Sequence, residues 1–157
     1  DKLGIQMKAD LNNSLLYSDM SSVVELNEDT VIEENFISKS DTKIRKIQFY
    51  TITWGRTYED DQLLRIKIRE MRSGHEIYNT ERLLNCFSDG ATYELLLDKA
   101  VSLKKGNCYS IEYTTNTNEN QTTMAIMITN KSNNSENTYI NNNMISGHIA
   151  EKIWTKK

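Results

Sequence analysis

The sequence predicts an all-β fold, a β-sandwich of jelly-roll type built from eight to ten short antiparallel strands. Three observations predict it. Between Ile44 and Arg72 two strand patterns flank a polar loop, and in the second of them Leu64, Ile66 and Ile68 alternate with Arg65, Lys67 and Arg69. That period of two belongs to a strand with one face in a core and the other in water. Similar short runs return along the chain from residue 22 to residue 156, with turn formers between them. Only one segment, Thr92 to Lys105, also matches helical spacing, through Tyr93, Leu96, Leu97, Ala100, Val101 and Lys104 with Gly106 as a helix end. The run that follows it, Asn107 to Tyr113, alternates cleanly, so strand plus loop is the preferred reading there.

Residues 1–21 alternate poorly and read as a poorly ordered leader with one short turn around Leu15-Leu16-Tyr17; residues 22–157 form a single sandwich domain. Ser22 to Leu26 is the first strand, closed by Asn27, Glu28 and Asp29, and Val31 to Ile37 is the second. Ile44 to Trp54 is central, because Ile47 and Phe49 fall on one face and Gln48, Tyr50, Ile52 and Trp54 on the other, giving both faces bulk. Leu63 to Ile68 and Glu76 to Thr80 form a hairpin across Arg72-Ser73-Gly74-His75, with Gly74 supplying positive φ. Leu83 to Phe87 leads to the turn Ser88-Asp89-Gly90. Strands follow at Tyr93 to Leu97, Asn107 to Tyr113 and Thr123 to Asn130. The last, Ile145 to Lys156, sets Ile145, Gly147, Ile149 and Ile153 opposite His148, Ala150, Lys152 and Trp154. Two Asn-rich stretches, 114–121 and 130–143, read as exposed loops because Asn tolerates left-handed backbone.

Composition narrows the function. A chain of 157 residues suits one domain that removes roughly 68–70% of its unfolded surface from water, without help from metals or disulfides. Net charge is −3, and Lys and Arg are scattered rather than striped, which argues against nucleic acid. No apolar run reaches the roughly 18 residues of a membrane span, and DKLGIQMKAD lacks the order of a signal peptide, so a soluble chain is expected. The start at Asp1 without Met suggests a processed or excised piece, and the wealth of Asn, Ile and Lys suggests an AT-rich bacterial genome. Cys86 and Cys108 are too few for a disulfide framework; two small buried thiols in neighbouring strands are expected, with a bridge left open.

Glu34-Asn35-Phe36-Ile37, Ile44 to Ile47, the aromatic strand ending Trp54-Gly55-Arg56, Leu63 to Ile68, Gly74 with Ile77, Asp89-Gly90, Tyr93-Glu94-Leu95 and Lys105 to Ile111 come in an order that resembles bacterial extracytoplasmic jelly-roll domains. Such domains are similar to the carbohydrate-binding modules of surface and membrane polysaccharide proteins. The resemblance spans about residues 31 to 113 and the last strand. It implies a location outside the cytoplasm, as a portion of a larger protein that alone would touch the membrane, and a cell-surface glycan or polysaccharide as partner.

Aromatic rings stack on the C–H faces of sugars while neighbouring polar groups take the hydroxyls. Trp54, Arg56, Tyr58 and Asp60, at the end of the central strand and the start of its loop, are the candidate ligand-binding residues, with Tyr58 expected to be exposed. Tyr78, Tyr139 and Trp154 are further aromatics for the same face or edge. Glu59-Asp60-Asp61 and Glu28-Asp29 follow no Ca²⁺ ligand spacing and read as solvated acids. His75 and His148 stand without a metal-binding motif, no carboxylate pair suggests a glycosidase, and a Cys86–His148 nucleophile is disfavoured because both fall in expected strands. The expectation is a non-catalytic module, without cofactor or metal, that binds carbohydrate. The competing expectation is a spacer or protein-interaction domain with no sugar ligand.

Overall fold

A computed structural model describes residues 8–9, 20–130 and 136–156. Among them are thirteen β segments and no α-helix. Three segments are only two or three residues long, β1 (Lys8–Ala9), β11 (Asn143–Ile145) and β12 (His148–Ile149), which leaves ten longer strands. No helix of the described residues is long and apolar enough to cross a membrane.

The strands form two antiparallel sheets. In the first, β4 (Thr42–Ile52) is hydrogen-bonded along both edges, as its two-sided bulk predicts. β7 (Ala91–Leu103) runs along one edge. β13 (Glu151–Lys156) takes the other as far as Phe49, and β9 (Met124–Thr129) continues it at Thr51 and Ile52. β2 (Met20–Leu26) flanks β9, β12 sits beside the end of β9, and β1 pairs with β13. The second sheet runs β11, β10 (Glu136–Ile140), β3 (Ile32–Ile37), β8 (Cys108–Thr115), β5 (Leu63–Glu70) and β6 (Glu76–Leu83). Apart from the β5–β6 hairpin, consecutive strands from β2 to β10 alternate between the sheets. The inward faces meet in one core. Ile44, Ile47, Phe49 and Leu95 come from the first sheet, Leu64, Ile66, Ile68 and Ile111 from the second, and Phe49 sets its ring 5.2 Å from that of Tyr113.

Local chemistry explains most boundaries. Gly74 has φ 71° in the β5–β6 turn and Gly106 has φ 84° in the turn between β7 and β8, conformations glycine adopts without penalty. The segment that also fits a helix is instead the thirteen-residue strand β7, paired with β4 through residues 91–96 and 101–103 with a register shift between them. Elsewhere the sequence expectation is overturned. Leu84–Cys86 is a single 3-10 turn, so Cys86 is exposed, Cys108 is half-buried in β8, and both thiols are free. The Asn-rich stretch 130–143 holds strand β10, which closes onto β11 through Asn141 and Asn142 at φ 48° and 68°. Those two asparagines do what asparagine does well, a two-residue hairpin turn with both centres left-handed. The leader expected over residues 1–21 lies mainly outside the described residues, apart from β1 and the start of β2.

The final strand is interrupted, not continuous. The Ala150 N–H donates to Met127 O at 2.8 Å, whereas its carbonyl accepts the Tyr50 N–H at 3.0 Å, so the chain passes from β9 to β4 at this residue. Alternation breaks there, and Ile149, Ala150 and Glu151 are all buried. Gly147 permits the approach to β9: a Cβ on it would lie 2.6 Å from Ile128 Cγ2 and 2.7 Å from the carbonyl oxygen of Thr129. Backbone cannot yield as a side-chain end can, so Gly147→Ala should lower stability by about 1–3 kcal/mol, read as a lower urea midpoint at unchanged slope.

Candidate functional site

At the end of β4 the chain reverses through Thr53-Trp54-Gly55-Arg56, closed by the Arg56 N–H donating to Thr53 O at 2.9 Å. Trp54 has φ 54° and Gly55 φ 70°, the pair of positive values that a type I′ turn requires. For a bulky side chain such a conformation costs on the order of 1–3 kcal/mol and persists only where surroundings impose it. Asp89 imposes it, since one carboxylate oxygen accepts the backbone N–H of Trp54 at 2.7 Å and of Thr53 at 3.1 Å. The result is a fixed indole that is 42% exposed. The Arg56 guanidinium lies 4.3 Å from the indole centroid, donates to Thr123 O at 3.2 Å and sits 3.8 Å from Glu25.

Two other sequence-predicted residues behave differently. Tyr58 is only 5% exposed and belongs to the core. Asn85 clamps its backbone on both sides at 2.9 Å, and its hydroxyl donates to Thr123 O at 3.1 Å. Burial raises the phenol above its ordinary pKa, opposed by Arg56 and assisted by Asp89. The expectation that flanking acids keep Tyr58 exposed fails because the chain turns at Glu59–Gln62, which sends the acids outward and the ring inward. Asp60 is exposed, with no hydrogen bond or ion pair to Arg56 among the described residues. The further aromatics lie elsewhere: Tyr78 is buried and donates to Asp98 at 2.8 Å, Tyr139 is half-buried on β10, and Trp154 donates to Gln48 at 2.7 Å between Lys46 and Lys152.

Sequence reasoning missed a second grouping altogether. Glu34 on β3, Glu136 on β10, His148 on β12, Glu151 on β13 and Tyr113 on β8 converge in the sandwich interior, every one of them buried. Glu34 accepts the Thr138 hydroxyl at 2.7 Å and the Ile149 N–H at 3.2 Å, and its carboxylate lies 3.6 Å from His148 Nδ1. Tyr113 donates to Glu151. Burial pushes Glu151 well above the ordinary carboxylate range, and the neighbouring Glu34 charge adds to this. Burial acts the same way on Glu34, but hydrogen bonds from its neighbours, led by His148, more than offset it and hold the group below its usual value. Tyr113 is raised by burial and by Glu151. A signal for Glu34 was present, because it shares parity with the core residues Ile32 and Phe36. The Cys86–His148 pair is ruled out, with one residue exposed on a turn and the other inside the sandwich.

On the outer face of the second sheet Glu33 stands directly opposite Glu112, which lies 3.6 Å from Arg69. Burial, then the Glu112 charge, raises Glu33, with Arg69 opposing.

A scan against protein-family models finds no match, and a search of curated proteins finds no significant one.

Tyr113→Phe removes the hydroxyl that holds Glu151 and should cost about 1–3 kcal/mol in chemical denaturation. Glu33 gives a pH-dependent expectation. Its folded pKa is above the unfolded one, so it favours folding while protonated and opposes it as pH rises through the raised value. Glu33→Gln should melt higher than the parent near neutral pH, and the gain should vanish below about pH 4, where both states are protonated.

Proposed function

We propose that the chain is a non-catalytic, carbohydrate-binding sandwich module of jelly-roll type, an extracytoplasmic part of a larger bacterial surface or membrane protein. The observation that carries the binding role is the strained, exposed Trp54, held in a left-handed conformation by Asp89 and backed by Arg56. Strain kept at a surface aromatic is a reason to look for function there. One indole face carries the guanidinium and the other takes a sugar ring; Arg56 and, from the next turn, Asp60 bond hydroxyls, while Tyr58 supports the loop from beneath. The strand orders β2-β9-β4-β7 and β3-β8-β5-β6 support the jelly-roll reading, since they interleave the sheets as two Greek keys do.

A second reading, an interaction or spacer domain, is favoured by Leu96 and Met144, exposed by 66% and 64% on β7 and β11. The two readings separate on an array of bacterial polysaccharides and oligosaccharides probed with the purified chain. Under the first, a saturable hit shifts tryptophan emission. Trp54→Gly, which suits φ 54°, weakens that binding at least about tenfold while the melting temperature holds or rises. Tyr58→Ala, by contrast, should lose about 3–5 kcal/mol of stability. A blank array, or binding indifferent to Trp54→Gly, removes the carbohydrate reading; self-association lost on Leu96→Glu then supports the other.

A further inference from the structure

We propose that Glu34, Glu136 and His148 form a binding site for a divalent transition-metal ion of the zinc class, closed inside the sandwich. Each residue offers one donor atom, and the three atoms lie within 4.8 Å of one another. The donor set is mixed, one imidazole nitrogen and two carboxylate oxygens, which is the chemistry zinc and its neighbours take and a hard ion such as Ca²⁺ does not prefer.

His148 Nδ1 stands 3.6 Å from Glu34 Oε1, close to the separation of about 3.4 Å at which two donors, each about 2.1 Å from one tetrahedral ion, are held. The Thr138 hydroxyl and the Ile149 N–H, both donating to Glu34, set that carboxylate's orientation, the role that outer hydrogen bonds play around metal ligands.

Placement gives the ion a task. Glu34 and Glu136 come from neighbouring strands of the second sheet, paired so that Thr138 faces Glu34 and Glu136 faces Phe36. His148 comes from β12 of the first sheet, a strand of two residues paired with β9 by two positions only. An ion held by all three ties the short strand to the opposite sheet. It also sets a positive charge beside two buried carboxylates. The site is independent of sugar binding at Trp54, so either assignment can fail without the other.

The test uses the full chain, stripped with EDTA and titrated with ZnCl₂, MnCl₂ or CaCl₂ by calorimetry and thermal melting. Zinc is expected to bind at about one equivalent and to raise the melting temperature in a way EDTA reverses, with manganese weaker and calcium without effect. Co²⁺ should give the visible absorption of a tetrahedral nitrogen–oxygen site. His148→Gln and the nearly isosteric Glu136→Gln should each weaken zinc at least about tenfold, whereas His75→Ala at the exposed histidine should change nothing. No zinc uptake and no shift on the unaltered chain would overturn the proposal whatever the variants do. Zinc that survives both interior substitutions, or is lost with His75, would mark surface binding and overturn it equally.

Discussion

Strand alternation sends Glu34 into the core whether or not the core suits a carboxylate, because Ile32 and Phe36 on the same face must go there. Nothing within β3 can satisfy the group, so its partners come from other strands: Thr138 from β10 beside it, Ile149 and His148 from β12 in the opposite sheet. The bond from the Ile149 N–H crosses the gap between the sheets and ties the short β12, paired with β9 at two positions, to β3. A buried polar group with specific partners selects one register among several of similar apolar burial. The passage of the last strand from β9 to β4 at Ala150 belongs to the same arrangement, since it lets His148 and Glu151 both face inward three residues apart.

Much of the sandwich was legible because its signals are local. The β5–β6 hairpin needs only Leu64, Ile66 and Ile68 in phase and a glycine at the turn, and both are written in one short stretch. β7 was ambiguous locally and was settled by its neighbour, since the alternation of β8 makes a turn at Lys104–Asn107 the economical connection. β10 was hidden by composition: Asn137 and its neighbours look like loop, yet the inward residues are polar because Thr138 lies opposite Glu34 and Glu136 hydrogen-bonds with the same carboxyl group. A strand whose inward face serves a polar interior cannot show the usual alternation.

The candidate sites were legible to different depths for the same reason. Trp54 and Arg56 are two positions apart, and a turn suffices to stack them. Tyr58 was misread because its fate depends on Asn85 and Thr123, which reach it only after β6 and β8 have been placed. The interior grouping draws on β3, β8, β10, β12 and β13, so it exists only once the register of both sheets is fixed. No spacing rule along one strand contains it.

The strained Trp54 turn and the buried polar grouping are held by different kinds of contact. At the loop end, the strain at Trp54 is carried by one carboxylate, Asp89, on the far side of the 3-10 turn from β6, and by the guanidinium of Arg56. Both are surface-accessible interactions, so this turn can be reshaped by substitution without disturbing β4, whose pairing ends at Ile52. In the interior, Glu34, Tyr113 and Glu151 contact strands of both sheets, and a change to any of them propagates through register. Under the proposed carbohydrate-binding role, the frame is held by buried groups that the sugar does not touch, and specificity falls to a short loop that can vary while the frame stays the same.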